Sequence, residues 1–170
     1  MDAATLDLEK SPERMLRQAA SFALHVFISL LVYATLFFLC SFLNTSNWPG
    51  DWPAIVATLL VTFVPFGVAY LIHLRGEPTS APFIWIAGVV WLLMVTVYVL
   101  ELPTGPGKCE HCTAVSKIWL TLFDLTTDSN LVEGAGRVIG TWPALAMIGY
   151  SVGARFVLQR RFRDTEVVAV

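Results

Sequence analysis

Cys109-Glu110-His111-Cys112 is the pattern in this 170-residue chain best suited to chemistry. Two thiols at that spacing can close a disulfide, exchange it with a further thiol, or bind a soft metal. Cys40 is the remaining cysteine and would be the resolving thiol if exchange takes place. A closed zinc site needs four ligands, and the segment offers Cys109, Cys112 and His111 with Glu110 beside them. The order Cys-x-x-Cys-His needed for covalent haem attachment is absent. A disulfide that staples the turn, with Cys40 an ordinary buried apolar residue, is therefore favoured over thiol exchange and over metal binding.

Histidines form the second constellation. His25 and His73 both fall within long apolar stretches, where a polar side chain is costly and finds a partner or lines a cavity. Two histidines on adjacent helices can ligate a b-type haem. His25 lies deeper than His73 by roughly 5–8 Å at about 1.5 Å per residue, which disfavours a shared haem. Hydrogen bonds between the two, to Tyr70 or to a backbone carbonyl are the expected arrangement. Neither a cofactor nor a metal is expected.

A third feature concerns packing. Gly149-Tyr150-Ser151-Val152-Gly153 is a Gly-x-x-x-Gly, and Gly136, Gly140 and Ala144 continue the small spacing upstream. In lipid, small residues let helix backbones approach closely. The motif fits self-association and packing within one chain equally well. No Ser/His/Asp grouping, paired carboxylates or phosphate-binding glycine loop occurs.

The elements that must position these residues are membrane helices. Charged residues make up 14% of the chain and hydrophobic ones 56%, against about 25% charged in a soluble domain. Eleven Lys and Arg form no basic face, so nucleic-acid binding is excluded. Crossing a bilayer core takes about 20 apolar residues, and the stretches 19–43, 53–74, 83–100 and 138–158 qualify. The first is too long for a signal-peptide core and is followed by no cleavage site. Ser11-Pro12-Glu13 reads as the cap of a short helix leading into it. The expected fold is all-α, a four-helix transmembrane bundle in a single membrane domain.

Orientation follows the basic residues. With the N-terminus inside, Lys10, Arg14, Arg17, Arg75, Arg155, Arg160, Arg161 and Arg163 lie on the cytoplasmic side, and Lys108, Lys117 and Arg137 outside. Trp48, Trp52, Trp119 and Trp142 mark the outer interface and Trp85 the inner one. Both termini are then cytoplasmic, and the cysteine pair faces an oxidising compartment. The outer segment 102–137 carries an amphipathic helix at 114–125, with Val115, Ile118, Trp119, Leu122 and Phe123 opposite Ser116, Lys117, Thr121 and Asp124. Such a helix lies in the interface or caps the bundle. In the tail 159–170, Arg160, Arg161 and Arg163 attract anionic lipid headgroups.

Two resemblances bear on this outline. Phe22-x-x-His25, Asn44, the tryptophans Trp48 and Trp52, and Gly67 with His73 resemble the bacterial two-helix membrane module called 2TM. That implies a membrane-embedded sensing or assembly role in a bacterial inner membrane. Four helices with outer-face cysteines are similar to the DsbB and vitamin K epoxide reductase families, which use two cysteine pairs and a quinone; this chain has one pair and Cys40. The leading expectation is a non-enzymatic membrane subunit that contacts lipid and forms a homo-oligomer or joins other membrane subunits. The alternatives are a thiol–disulfide oxidoreductase through Cys109 and Cys112, and a haem-binding redox subunit through His25 and His73.

Overall fold

The computed structural model describes residues 3–42, 50–76, 80–126, 129–133 and 135–168. The described residues are helical or connecting, with α1 Ala3–Phe42, α2 Trp52–His73, α3 Trp85–Glu101, α4 Ala114–Ile118 and α5 Trp142–Val168. A 3₁₀ turn, Ala81–Phe83, leads into α3. One π turn, Trp119–Phe123, extends α4, and another, Arg137–Thr141, leads into α5. The fold is all-α. Three helices are long and apolar enough to cross a membrane: Pro12–Ser41, Trp52–His73 and Ala81–Glu101. The expected fourth stretch, 138–158, forms the second π turn and the first part of α5, and does not reach the same apolarity.

Helix boundaries follow local chemistry. Pro53 occupies the first turn of α2, where its missing N–H costs nothing. α1 departs from expectation: it begins at Ala3 and runs unbroken through Pro12. Ala, Leu, Glu and Lys favour helix strongly enough to carry it across the proline, at the loss of one backbone hydrogen bond. Residues 43–49, Asn44 and Trp48 among them, lie outside the described residues, as do residues 77–79.

α5 occupies the centre, packed on α2, α3 and α1. Ala144, Ala146, Met147, Tyr150, Ala154 and Val157 on this helix are all buried. Tyr150 and Ala154 join Ala69, Ala81 and Ile84 in one apolar cluster. The α2–α5 pair runs parallel, Trp142 meeting Thr58, Gly149 meeting Thr62 and Gly153 meeting Phe66. α1 runs antiparallel to α5, since His25 meets Tyr150 and Tyr33 meets Val138.

The Gly-x-x-x-Gly is engaged inside the chain. A Cβ at Gly149 would collide with the Thr62 carbonyl, and one at Gly153 with the Phe66 carbonyl. Both helices thus present backbone to backbone at matched four-residue steps. Gly140 faces Val95 and Leu122, and Gly136 faces Thr121. All four glycines are intramolecular contacts. Gly67, by contrast, has nothing within 4 Å of the place a methyl group would take.

Several backbone carbonyls at the breaks near α3 and α5 find side-chain donors. Pro143 cannot donate to the Ile139 carbonyl, and Trp91 Nε1 on α3 does so at 2.8 Å. Tyr33 Oη on α1 donates to the adjacent Val138 carbonyl at 2.5 Å, and Ser151 Oγ to the Pro82 carbonyl at 2.7 Å. Such groups have no water to turn to within apolar surroundings.

Replacing Gly149 or Gly153 by Val is expected to destabilise the bundle by about 1–3 kcal/mol through overpacking. Gly67→Ala is expected to leave it unchanged or slightly firmer. Tryptophan-fluorescence melting of the detergent-solubilised variants reads the difference, and an unshifted Gly149→Val midpoint would contradict the packing.

Candidate functional site

Within the helices, polar side chains converge at one place. His25 on α1, His73 on α2 and Tyr150 on α5 form a triangle near the end of the bundle where α2 terminates. His25 Nδ1 and Tyr150 Oη share a hydrogen bond of 3.1 Å. The His25 and His73 ring centres are 5.0 Å apart, and Tyr150 lies 5.8 Å from His25 and 6.1 Å from His73. His73 and Tyr150 are buried, and His73 Nε2 has no hydrogen-bond partner among the described residues. Ser21 and Ser80 pair nearby, Oγ to Oγ at 2.7 Å.

This arrangement revises the sequence-based expectation. The histidines do meet, but the partner of His25 is Tyr150 rather than Tyr70. Tyr70 instead accepts from Arg160 at 2.8 Å. Two axial imidazoles on opposite faces of a haem iron place their ring centres about 6 Å apart with the porphyrin between them. At 5.0 Å the two rings leave no such gap. Tyr150 was legible only as a residue inside the glycine motif; the geometry of α5 brings it here.

The basic tail also takes a different part. Arg161 donates to the His73 and Leu74 carbonyls at 3.0 Å each. It thereby caps the C-terminus of α2, where unpaired carbonyls and the helix dipole favour a cation. Arg160 is engaged with Tyr70. Arg163 is exposed, and is the member of the expected lipid-contacting trio with no such bond described.

A matching cap closes α3 at the opposite end. Lys117 is buried, and its Nζ donates to the Leu100 carbonyl at 2.8 Å and to the Leu102 carbonyl. The residue pattern sets Lys117 on the polar face of an amphipathic helix, opposite its apolar stripe. In the structure the inward side of that helix, Ala114–Phe123, is a mixed one. Lys117, Thr121 and Leu122 point into the protein while Val115, Trp119 and Phe123 are exposed. The helix ends one residue before Asp124 rather than at 125. This arrangement follows from hydrogen bonding: Lys117 reaches α3, Thr121 pairs with Ser129, and the Leu122 and Asp124 carbonyls accept from Thr141 and Arg137.

Cys109 and Cys112 are disulfide-bonded, with Cα atoms 5.4 Å apart. Their ring sits in the connection just before α4, whose cap is Thr113 accepting from the Ser116 N–H. Cys109 itself takes a left-handed backbone, φ 51°. Cys40 is a free thiol elsewhere. It lines an apolar cleft of about 340 Å³ between α1 and the first half of α2, with Tyr33, Phe37, Pro53, Ala57 and Trp142. No residue of the 102–113 connection lines that cleft.

Lys117→Met keeps the apolar stem but strands the α3 carbonyls, so a loss of about 1.5–3 kcal/mol is expected by chemical or thermal unfolding. Maleimide labelling of unreduced protein is expected to add a single adduct, at Cys40, and three after denaturation and reduction. The double variant Cys109→Ser/Cys112→Ser should lose roughly 2 kcal/mol, the constraint of a short disulfide loop, and the single variants Cys109→Ser and Cys112→Ser should trap no mixed-disulfide partner.

No family model, curated protein or solved structure matches the chain. The two resemblances therefore rest on the residues already named, and Gly67, one of them, meets no close neighbour.

Proposed function

We propose that the chain is a multi-pass subunit of a bacterial inner-membrane complex, with four spans and both ends in the cytoplasm, whose work is assembly rather than catalysis. The observation that carries this reading is α1. Its most apolar 18-residue window is only 6% buried by the rest of the chain. Leu24, Phe27, Leu31 and Phe38 on it are more than half exposed. An apolar face that size must be covered by lipid or by another chain.

Counting α5 as the fourth span rests on its surroundings. A helix packed on α1, α2 and α3 meets protein along its buried side, so that side tolerates Tyr150, Ser151 and glycines that a lipid-facing side would not favour. The basic bias supports the orientation further. Lys117 and Arg137, two of the three outer cations, are bound to backbone carbonyls, which leaves Lys108 as the outer cation with no such bond described.

Because Gly149 and Gly153 already hold α2, a partner would engage α1 or the exposed α3 edge at Leu93, Met94 and Val97. Native mass spectrometry from mild detergent is expected to show either a homo-oligomer or a complex with other polypeptides. A lone monomer, whatever the detergent, would sink the subunit reading. Reporter fusions should place Val170 inside and the 102–137 connection outside, and the reverse pattern would overturn the orientation.

A further inference from the structure

The triangle of half-buried His25 with buried His73 and Tyr150 has the dimensions of a metal site. We infer that it binds one divalent first-row transition metal ion, of which Zn²⁺ is representative, through the two imidazoles and the phenol oxygen.

The argument is geometric. With metal–nitrogen bonds of about 2.0 Å, two imidazoles on one tetrahedral ion have ring centres about 5 Å apart. A phenol oxygen on the same ion places its ring centre roughly 6 Å from each imidazole centre. The observed separations are 5.0, 5.8 and 6.1 Å. Adjacent donor atoms in such a tetrahedron lie about 3.3 Å apart, and His25 Nδ1 is 3.1 Å from Tyr150 Oη. Three different helices supply the donors, so the site exists only in the folded bundle.

A second observation points the same way. His73 Nε2 is buried with no partner among the described residues, in a side chain 3% exposed. An orphaned polar atom in apolar surroundings is costly, and a metal bond would answer it. Nitrogen and phenol donors suit zinc, copper or nickel rather than calcium or magnesium. No group of three His, Cys, Asp or Glu side chains suited to a metal occurs among the described residues; here the third donor is a tyrosine. The arrangement that is too tight for a haem between the rings is the right size for one ion shared by them.

Charge balance sets the protonation. Arg161 sits on the His73 carbonyl, so a bare divalent charge would be disfavoured. Binding as phenolate, Tyr150 loses one proton to solvent and lowers the net charge of the site by one. Three protein donors leave a fourth position for water or a small anion.

The test uses the full chain purified in detergent and stripped with chelator. Zn²⁺ titration followed by elemental analysis is expected to give one equivalent, and Co²⁺ a visible tetrahedral d–d spectrum. With Cu²⁺ in place of Co²⁺, a phenolate charge-transfer band is expected, lost in Tyr150→Phe. His25→Ala and His73→Ala should each weaken Zn²⁺ binding by about a hundredfold. His111→Ala, in the exposed connection, should leave it unchanged. Helical circular dichroism checks that the variants fold. Should the histidine variants unfold, Tyr150→Phe decides: loss of the charge-transfer band supports the site, and its survival overturns it. Failure of the wild-type chain to take up metal overturns the inference, as does uptake that survives in folded His73→Ala or is lost in His111→Ala.

Discussion

Close contact between α5 and α2 is the constraint on which the other contacts hang. In apolar surroundings there is little hydrophobic gain from bringing two helices together, so association relies on dispersion between well-fitted surfaces. Gly149 and Gly153 remove the side chains that would hold the backbones apart, and the Thr62 and Phe66 carbonyls occupy that space. The approach fixes both the separation and the rotation of α5. Tyr150, the residue next to Gly149, is thereby aimed at His25 and His73. Ser151 falls against the Pro82 carbonyl, which draws the entry to α3 onto the same helix.

Polar groups are the second organising force. At the break that leads into α5, two carbonyls meet donors from other elements: Trp91 at the carbonyl freed by Pro143, and Tyr33 beside it. Helix ends follow the same rule. α2 ends on Arg161 from α5, and α3 ends on Lys117 from α4. Four elements are thus tied by hydrogen bonds that would otherwise be unmet, and in apolar surroundings an unmet bond is costlier than in water.

The connection between α3 and α5 shows how such bonds override amphipathicity. The apolar stripe Val115, Trp119 and Phe123 faces outward because the opposite side carries the lysine and threonine that the bundle end requires. Outward exposure of that stripe is no penalty where the surroundings are an interface rich in lipid. The disulfide at Cys109 and Cys112 holds the turn from which the helix starts.

Much of the outline was legible in the residues. The apolar runs at 53–74 and 83–100 became α2 and α3 to within two residues, since long apolar segments bounded by Pro, Gly and charge have few other forms. The cysteine pair formed the expected disulfide because three residues along the chain keep its thiols close in almost any turn. Composition pointed to a membrane protein for the same local reason. Facts about partners across the fold were not legible. Gly-x-x-x-Gly says that a backbone approaches, yet whose backbone depends on where α5 lies. Lys117 and Arg161 read as surface charges, since a lysine or arginine is usually solvated, and only the tertiary arrangement showed two carbonyl ends waiting for them. His25 and His73 are 48 residues apart and each was visible alone. Their shared tyrosine, 125 residues beyond His25, was decided by the rotation of a helix, which side-chain packing sets and residue spacing does not encode.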